Sequence, residues 1–374
     1  MKQVYLDYNA STPIAPEVAW TMRGLLETAF GNPSSRHWAG APARDAVERA
    51  RAQVAGLLGC GPESVVFTSG GSESNNLALK GVFFARGVRD GHIVTTRIEH
   101  PAVHAPCRFL ERLGATVTQV PVDGAGRVDP GDVRRAITPR TVLVSVMHAN
   151  NETGVVQPVE EIARIARERG VLFHTDAAQS AGKIPVRAAA LGADLLTIAG
   201  HKLYAPKGVG ALYVRDGVPL EPLVHGASHE SGRRAGTESA LLAAGLGRAC
   251  ELACDLTVME RVRTLRDRLQ SVLFDRFGRG VALNGHPLHR LPNTLNVSFV
   301  GRIGAEILSA LDGVAASTGS ACHAGRVELS PVLAAMGVPE EVGMGAVRFS
   351  LGRSSTSEEI DFVLERLSAA LAQR

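Results

Sequence analysis

Short apolar runs alternate with helical patterns from about residue 45 to 215, and this rhythm constrains the fold most strongly. The apolar runs are 64–68, 92–96, 116–120, 141–147, 171–175, 194–198 and 210–214. Helical patterns at 43–58, 101–113, 131–137 and 159–169 separate most of them. Strands that are apolar throughout are buried on both faces, so we predict an α/β fold with a mostly parallel central sheet between helices. The last run follows its predecessor after a short turn, which favours an antiparallel edge strand.

The rhythm changes after about residue 215. A loop rich in glycine and arginine (225–237) is followed by a long helical pattern (239–277). Two strand-like segments (294–299 and 347–351) and a closing amphipathic helix (357–370) come after it. We therefore predict a large α/β domain, residues 15–260, and a smaller α+β domain formed by residues 1–14 and 261–374.

Charge and composition argue against several classes of partner. The 374 residues carry a formal net charge of only +3, which gives no reason to expect nucleic acid or a membrane surface. No apolar run reaches the roughly 18 residues of a membrane helix, and the N-terminus has no secretory signal pattern. The five cysteines lack zinc-like spacing, so no metal site is predicted. We expect a cytoplasmic protein.

A glycine-containing turn follows the first apolar run of the large domain. In segment 67–76, Gly70 and Gly71 precede Ser72 where a helix is expected to begin. Free N–H groups and the helix dipole at such a position bind phosphate well. An ordinary turn with a serine N-cap is the alternative. The segment matches neither common nucleotide-binding motif, so a phosphate other than a nucleotide is favoured.

Two later strands end in an acid and a lysine. Asp176 closes one apolar run, and His201 and Lys202 follow the next. The carboxyl ends of parallel strands share one edge of the sheet, so these side chains are expected to lie close together. A salt bridge would explain one such pair. Together with a phosphate cradle, however, they match the needs of pyridoxal phosphate (PLP): a lysine for covalent attachment and an acid for the pyridine nitrogen.

Further polar residues follow other strands or stand in a flexible loop. His100 and Asn151 come after two more apolar runs, at the same expected edge. Cys322 lies among small residues and is followed by His323. Exposure and a neighbouring imidazole favour the reactive thiolate, although a helix N-terminus with an incidental cysteine fits equally well.

The chain resembles the class V aminotransferase family, in particular the cysteine desulfurases of the NifS/IscS type. The shared motifs are 5–13, 30–35, 68–76, 99–100, 149–154, 174–179, 200–202, 236–238, 319–322 and 348–350. They occur in the family's order over nearly the whole chain. The resemblance implies the type I fold of PLP-dependent aminotransferases and a homodimer.

The resemblance also implies roles for individual residues. Lys202 would bind PLP covalently and move the Cα proton, and His100 would stack on the ring and act as a catalytic acid/base group. Asp176, Gln179 and Asn151 would contact the ring and its substituents. The phosphate would be held by Gly71, Ser72, His201 and, from a second subunit, Thr237.

On the substrate side, Arg348 would bind the α-carboxylate of L-cysteine beside Asn151, because a guanidinium matches a carboxylate with two hydrogen bonds. Cys322 would take the sulfur, leaving alanine and a persulfide on the enzyme. An acceptor protein, such as an iron–sulfur scaffold or a tRNA-thiolation enzyme, would then receive that sulfur.

Two positions depart from the family pattern. Ala199 stands where a hydroxyl residue commonly donates to the phosphate, and Ala235 replaces a serine. The phosphate would then depend more on Ser72 and Thr237.

Alternatives to cysteine desulfuration remain. Ala199 and the Ala-Cys-His sequence at 321–323 also resemble selenocysteine lyase. Pro101 fits neither the selenocysteine lyases nor the typical desulfurases. A sulfur-relay scaffold that turns over only with a partner, or a class V transaminase, would also be compatible with a PLP site.

Overall fold

A computed structural model describes residues 2–87, 90–319, 322–323 and 326–372; of residues 322, 323, 326 and 327 it describes only the backbone. The strands are β1 (Val4–Tyr5), β2 (Val65–Thr68), β3 (His92–Thr96), β4 (Thr116–Val120), β5 (Thr141–Ser145), β6 (Leu172–Asp176), β7 (Leu195–Ala199), β8 (Gly210–Val214), β9 (Val281–Leu283), β10 (Thr294–Phe299), β11 (Val314–Ala315), β12 (Cys322–His323), β13 (Arg326–Val327) and β14 (Ala346–Ser350).

The α-helices are α1 (Pro16–Leu26), α2 (Ala41–Leu58), α3 (Gly71–Ala85), α4 (Pro101–Glu111), α5 (Pro130–Ala136), α6 (Val159–Glu168), α7 (Ala240–Ala253), α8 (Val258–Phe277), α9 (Gly304–Ala310), α10 (Pro331–Ala335), α11 (Glu340–Gly343) and α12 (Ser357–Ala372). Short 3-10 turns lie at Pro62–Ser64, Gly200–Lys202, His229–Gly232 and Gly278–Gly280. In the described part of the chain, no helix combines the length and apolar character needed to cross a membrane.

The central sheet has seven strands in the order β2-β8-β7-β6-β5-β3-β4, and its strands from β7 to β4 pair in parallel. Neighbouring residues of one strand enter hydrophobic clusters on opposite faces: Val94 packs in one cluster and Ile93 in another. Helices α2, α6 and α7 cover the first face, and α3 and α4 cover the second. The predicted mostly parallel sheet between helices is therefore confirmed.

The prediction for the strand at 210–214 was half wrong. β8 is antiparallel to β7, as expected, but it lies inside the sheet because β2 pairs with its other side. All five residues of β8 are buried. An apolar strand of this kind gains from hydrogen bonding on both sides, and β2 supplies the second partner.

The outer side of β2 is covered by a buried ion pair. Arg51 binds the Glu230 carboxylate through both terminal nitrogens, at 2.8 and 2.9 Å. The same arginine donates to the Val65 carbonyl, and Glu230 accepts from the Phe67 N–H, each at 2.9 Å. The pair thus satisfies a free carbonyl and a free N–H of the edge strand, which blocks pairing with another chain.

Arg51→Met is expected to lower the free energy of unfolding by about 3–5 kcal/mol, because it leaves a buried carboxylate without its partner. Glu230 has only 1% of its side chain exposed. Urea unfolding of the cofactor-free protein measures the change. Arg134→Met is the matched control: its ion pair with Glu168 is exposed, and its loss should cost less than about 1 kcal/mol. Equal effects of the two variants would contradict this account of the edge.

A second sheet, β14-β10-β9, is antiparallel and packs with α8 and α12 around its own hydrophobic cluster. β1 pairs in parallel with β11, and Val4 and Leu6 belong to this cluster. The domain boundary near residue 260 stays a prediction.

The helical pattern at 239–277 is two helices, not one. α7 ends at Ala253 and α8 begins at Val258. Between them, the Asp255 side chain accepts hydrogen bonds from the Thr257 N–H at 2.9 Å and from its hydroxyl at 2.7 Å. Such local bonds between a side chain and the backbone compete with helix formation, which explains the break.

Candidate active site

A cavity of about 650 Å³ opens at the carboxyl ends of the parallel strands. Among the residues that line it are Gly71, Ser72, His100, Asn151, Asp176, Gln179, His201, Lys202 and Arg348. All were predicted as site residues from the sequence. They meet because each follows a strand that ends at this edge, except Arg348, which lies within β14 of the second sheet.

The N-terminus of α3 forms one wall of the cavity. Its N-cap residue, Gly70, has φ +145°, a conformation that favours glycine, and no side chain caps the helix. Ser72 is the second residue of the helix, so the alternative of a serine N-cap is wrong. A Cβ at Gly71 would come within 3.2 Å of Ala199 Cβ, so the turn packs closely against β7. The first N–H groups of the helix are thus available to an anion.

Glu73 fixes this turn to a distant loop. One of its carboxylate oxygens accepts from the Ser69 N–H at 2.7 Å, and the other accepts from Arg234 Nε at 2.9 Å. The two hydrogen bonds and the charge of Arg234 keep the pKa of Glu73 below its ordinary value despite burial. The turn is therefore held in shape before any ligand binds.

Asp176 is buried at the tip of β6, with both carboxylate oxygens engaged. Oδ2 accepts from Asn75 Nδ2 at 2.6 Å, and Oδ1 accepts from the Ala178 N–H at 2.9 Å. Asn75 lies on α3, so this contact joins the acid to the helix that forms the anion-binding turn. The acid is fixed at one position on the cavity wall.

Lys202 directs its amine at main-chain oxygens. Nζ donates to the Asn9 carbonyl at 2.6 Å and to the Ala10 carbonyl at 2.8 Å. Burial and the charge of Arg348 lower the pKa of Lys202 to about 8, against the opposing effect of Asp176. About a tenth of this amine is consequently neutral and nucleophilic at pH 7, far more than for an ordinary lysine.

Both histidines of the cavity favour the neutral form. Burial and the neighbouring Lys202 charge lower the pKa of His201 to about 4. Burial also lowers the pKa of His100, an effect that Asp176 opposes. His100 Nδ1 accepts from the Ala102 N–H at 3.0 Å, so the ring caps α4 and its proton is on Nε2. The two rings are therefore hydrogen-bond donors, not cations, near neutral pH.

Arg348 is buried and oriented from two sides. Nη2 binds Asp7 Oδ1 at 2.7 Å, and Nη1 donates to the Asn151 carbonyl at 2.9 Å. Its Nε has no hydrogen-bond partner in the described part of the chain. The guanidinium is thus held rigidly at the cavity with donor capacity left over.

Two predicted residues remain, one outside the cavity and one whose side chain is not described. Thr237 is exposed and is not among the lining residues. The backbone of Cys322 pairs with Val327, and its side chain lies outside the part of the chain that the structure describes. At the start of its loop, Gly319 lies against the Glu152 carboxylate. A Cβ at this position would overlap one of the carboxylate oxygens.

Four residues that support the cavity were not predicted from the sequence: Asp7, Asn9, Glu73 and Asn75. Each lies within a motif that carried the family resemblance, but its partner is far away in the chain. Asn9 and Asp7, for example, contact residues of β10 and β14. No local pattern reveals such contacts.

A model of the class V aminotransferase family matches residues 4–363. The chain belongs to this family. It is 47% identical over 371 residues to a protein of Dictyoglomus turgidum named cysteine desulfurase IscS, covering 98% of this chain and 94% of the relative. The type I fold predicted from the resemblance is confirmed.

Solved structures of the family agree. A NifS-like protein superposes with a TM-score of 0.92 at 38% identity over 99% of both chains. A structure described as SspA in complex with cysteine has a TM-score of 0.84 at 37% identity, covering 94% of this chain and all of the other.

Proposed function

We propose that this protein is a PLP-dependent cysteine desulfurase that converts L-cysteine to L-alanine and holds the sulfur as a persulfide on Cys322. The observation that carries the proposal is the convergence of a lysine amine, a buried acid and an uncapped helix N-terminus on one cavity. The names of the relatives support the choice of cysteine as substrate.

The residues of the cavity fit PLP. Gly71, Ser72 and His201 would hold the phosphate, because uncapped N–H groups and a neutral imidazole donate to an anion. Asp176 would bind the protonated ring nitrogen. Among the described residues, no cationic side chain lies within ion-pair distance of its carboxylate. His100 would stack on the ring, and Gln179 and Asn151 would donate to its substituents. When bound, PLP supplies an aldehyde for Lys202 and a ring that withdraws electrons.

The rate of PLP attachment to the cofactor-free protein is expected to rise with pH and to level off above about 8. Attachment needs the neutral amine, and burial with the charge of Arg348 lowers the pKa of Lys202 to about 8. Rapid-mixing absorbance measurements across the pH range give this profile. In Arg348→Met the midpoint should move to higher pH, since a positive charge is removed. A parent rate still rising steeply near the pKa of an ordinary lysine would contradict the assignment.

Arg348 would bind the α-carboxylate of cysteine, oriented beforehand by Asp7 and Asn151. The freed Lys202 amine would then carry the proton at Cα. The Cys322 thiolate would attack the substrate sulfur: an S–S bond forms, the C–S bond breaks, and its electron pair stays on the carbon, which gains a proton. Cysteine and the Cys322 thiol thus give alanine and the Cys322 persulfide, with no other reactant.

A second copy of the chain completes the proposed site. The exposure of Thr237 outside its own cavity supports a contact with the cofactor phosphate of a partner in a homodimer. With Ala199 in place of a hydroxyl residue, the phosphate would depend more on Ser72 and on this threonine. We further propose a cytoplasmic enzyme that passes its sulfur to an acceptor such as an iron–sulfur scaffold.

Product analysis with both amino acids tests the proposal. After reconstitution with PLP, cysteine should yield alanine and sulfur, and Cys322→Ala should abolish this reaction. Cys60→Ala, which changes a half-buried cysteine outside the cavity, is the matched control. Turnover of selenocysteine alone, insensitive to Cys322→Ala, would identify a selenocysteine lyase instead. Keto-acid products would identify a transaminase, and activity that appears only with an acceptor protein would indicate a relay scaffold.

A further inference from the structure

A buried lysine that the proposed reaction does not use lies behind the cavity. Lys183 has 8% of its surface exposed. Its amine donates to Gln179 Oε1 at 2.9 Å and to Asn9 Oδ1 at 3.2 Å. None of the ion pairs among the described residues includes Lys183. A lysine buried against two uncharged amide oxygens needs an explanation, because burying an unpaired charge is expensive.

We propose that Lys183 is a positioning residue of the cofactor site: it fixes the side-chain amides of Gln179 and Asn9, so that Gln179 presents its remaining N–H to the cavity and Asn9 keeps its place beside Lys202. This inference rests on the proposed function, because it assigns Gln179 as a donor to the cofactor.

The hydrogen bonds around Gln179 permit only one orientation of its amide. Nε2 donates to the Asn9 carbonyl at 2.9 Å, and Oε1 accepts from Lys183. The reversed amide would set Oε1 against the Asn9 carbonyl, and two acceptors repel each other. Gln179 lines the cavity, so the remaining hydrogen on Nε2 is the one available to a ligand there.

Asn9 is fixed in the same way. Its Oδ1 accepts from Lys183 and from Asn293 Nδ2 at 3.0 Å, and its Nδ2 donates to Thr294 Oγ1 at 2.9 Å. Its carbonyl then accepts from both Gln179 and Lys202. Lys183 thus contacts two groups that each contact the cavity, without lining the cavity itself.

The electrostatics agree with this geometry. Burial, followed by the charges of Lys202 and Arg348, holds the pKa of Lys183 well below its ordinary value. A neutral amine has two N–H groups, which match the two amide oxygens it contacts. Lys183 and Lys202 also line one small cavity of about 10 Å³, which is no larger than a water molecule needs. Both amines contact Asn9, Lys183 at Oδ1 and Lys202 at the carbonyl, so repulsion from the Lys202 charge favours a neutral Lys183.

Lys183→Met tests the proposal, since methionine has nearly the same length but no donor. Equilibrium titration of the cofactor-free protein with PLP should show about tenfold weaker binding. This is the effect of losing one hydrogen bond to a charged group, here the bond from Gln179 to the cofactor. The visible absorbance band of the bound cofactor should also shift. Lys80→Met removes a lysine of α3 whose amine lies over the Phe109 ring of α4, and it should leave affinity and band unchanged.

A second variant separates positioning from a role in folding. Gln179→Glu keeps an acceptor for Lys183, which can then form an ion pair, but it removes the donor to the cavity. It should shift the band in the same direction as Lys183→Met and weaken binding at least as much. On a Gln179→Met background, Lys183→Met should weaken binding clearly less than in the parent, because the part of its effect that acts through Gln179 is already lost and only the part through Asn9 remains.

The outcomes are distinct. If the parent protein binds no PLP, the proposed function fails. If the parent binds PLP and Lys183→Met matches it in affinity and band, the role of Lys183 is overturned while the proposed function stands. Equal effects of Lys183→Met on the parent and on the Gln179→Met background would also overturn it, since Lys183 would then not act through Gln179.

Discussion

Lys202→Ala is expected to lower alanine release by at least about 1000-fold and to abolish covalent attachment of PLP. Two described lysines line the large cavity, Lys202 and Lys207. Lys207 is exposed, whereas Lys202 is half-buried with its amine held by the carbonyls of Asn9 and Ala10. Reduction with borohydride followed by peptide mass analysis locates the attached cofactor.

Lys80→Ala serves as the control for this variant, because Lys80 lies on α3 with its amine over the Phe109 ring. It should retain both attachment and activity. Attachment at another lysine in the parent protein, or full activity of Lys202→Ala, would remove the basis of the proposed mechanism.

Asp176→Asn is expected to lower alanine release by at least about 100-fold. The change removes the negative charge that would keep the ring nitrogen protonated. It also disturbs the local contacts: both carboxylate oxygens accept hydrogen bonds, from Asn75 and from the Ala178 N–H. An asparagine has only one oxygen, so its NH₂ would face one of these donors.

Asp45→Asn makes the same chemical change at an exposed position of α2 and should leave the activity unaltered. Asp176→Glu keeps the charge and should retain more activity than Asp176→Asn. If Asp176→Asn and the parent turned over cysteine at the same rate, Asp176 would not be the partner of the ring nitrogen.

The residues that line the cavity could be predicted from the sequence better than the residues that support them. Asp176, Lys202 and His100 could be placed together because each follows an apolar run, and the carboxyl ends of parallel strands meet at one edge. β8 was predicted at the edge because its run follows the preceding one after a short turn. Its position inside the sheet depends on pairing with the distant run at 64–68, which no local pattern encodes.

The supporting contacts could not be predicted for a related reason. Asn9 and Lys183 are 174 positions apart, and Arg348 and Asp7 are 341 apart. The polar character of these residues is visible in the sequence, but their partners are set by how the second sheet packs against the first. Lys183, in particular, looks like an ordinary lysine near a helix-like turn until its burial is known.

The most direct test of the proposed desulfurase reaction is a single-turnover experiment with L-cysteine on the PLP-loaded protein without an acceptor. Mass analysis of the peptide that contains Cys322 should show one additional sulfur atom, formed in step with one alanine per active site. Alanine formed without sulfur on Cys322, or a keto acid formed in place of alanine, would contradict the account.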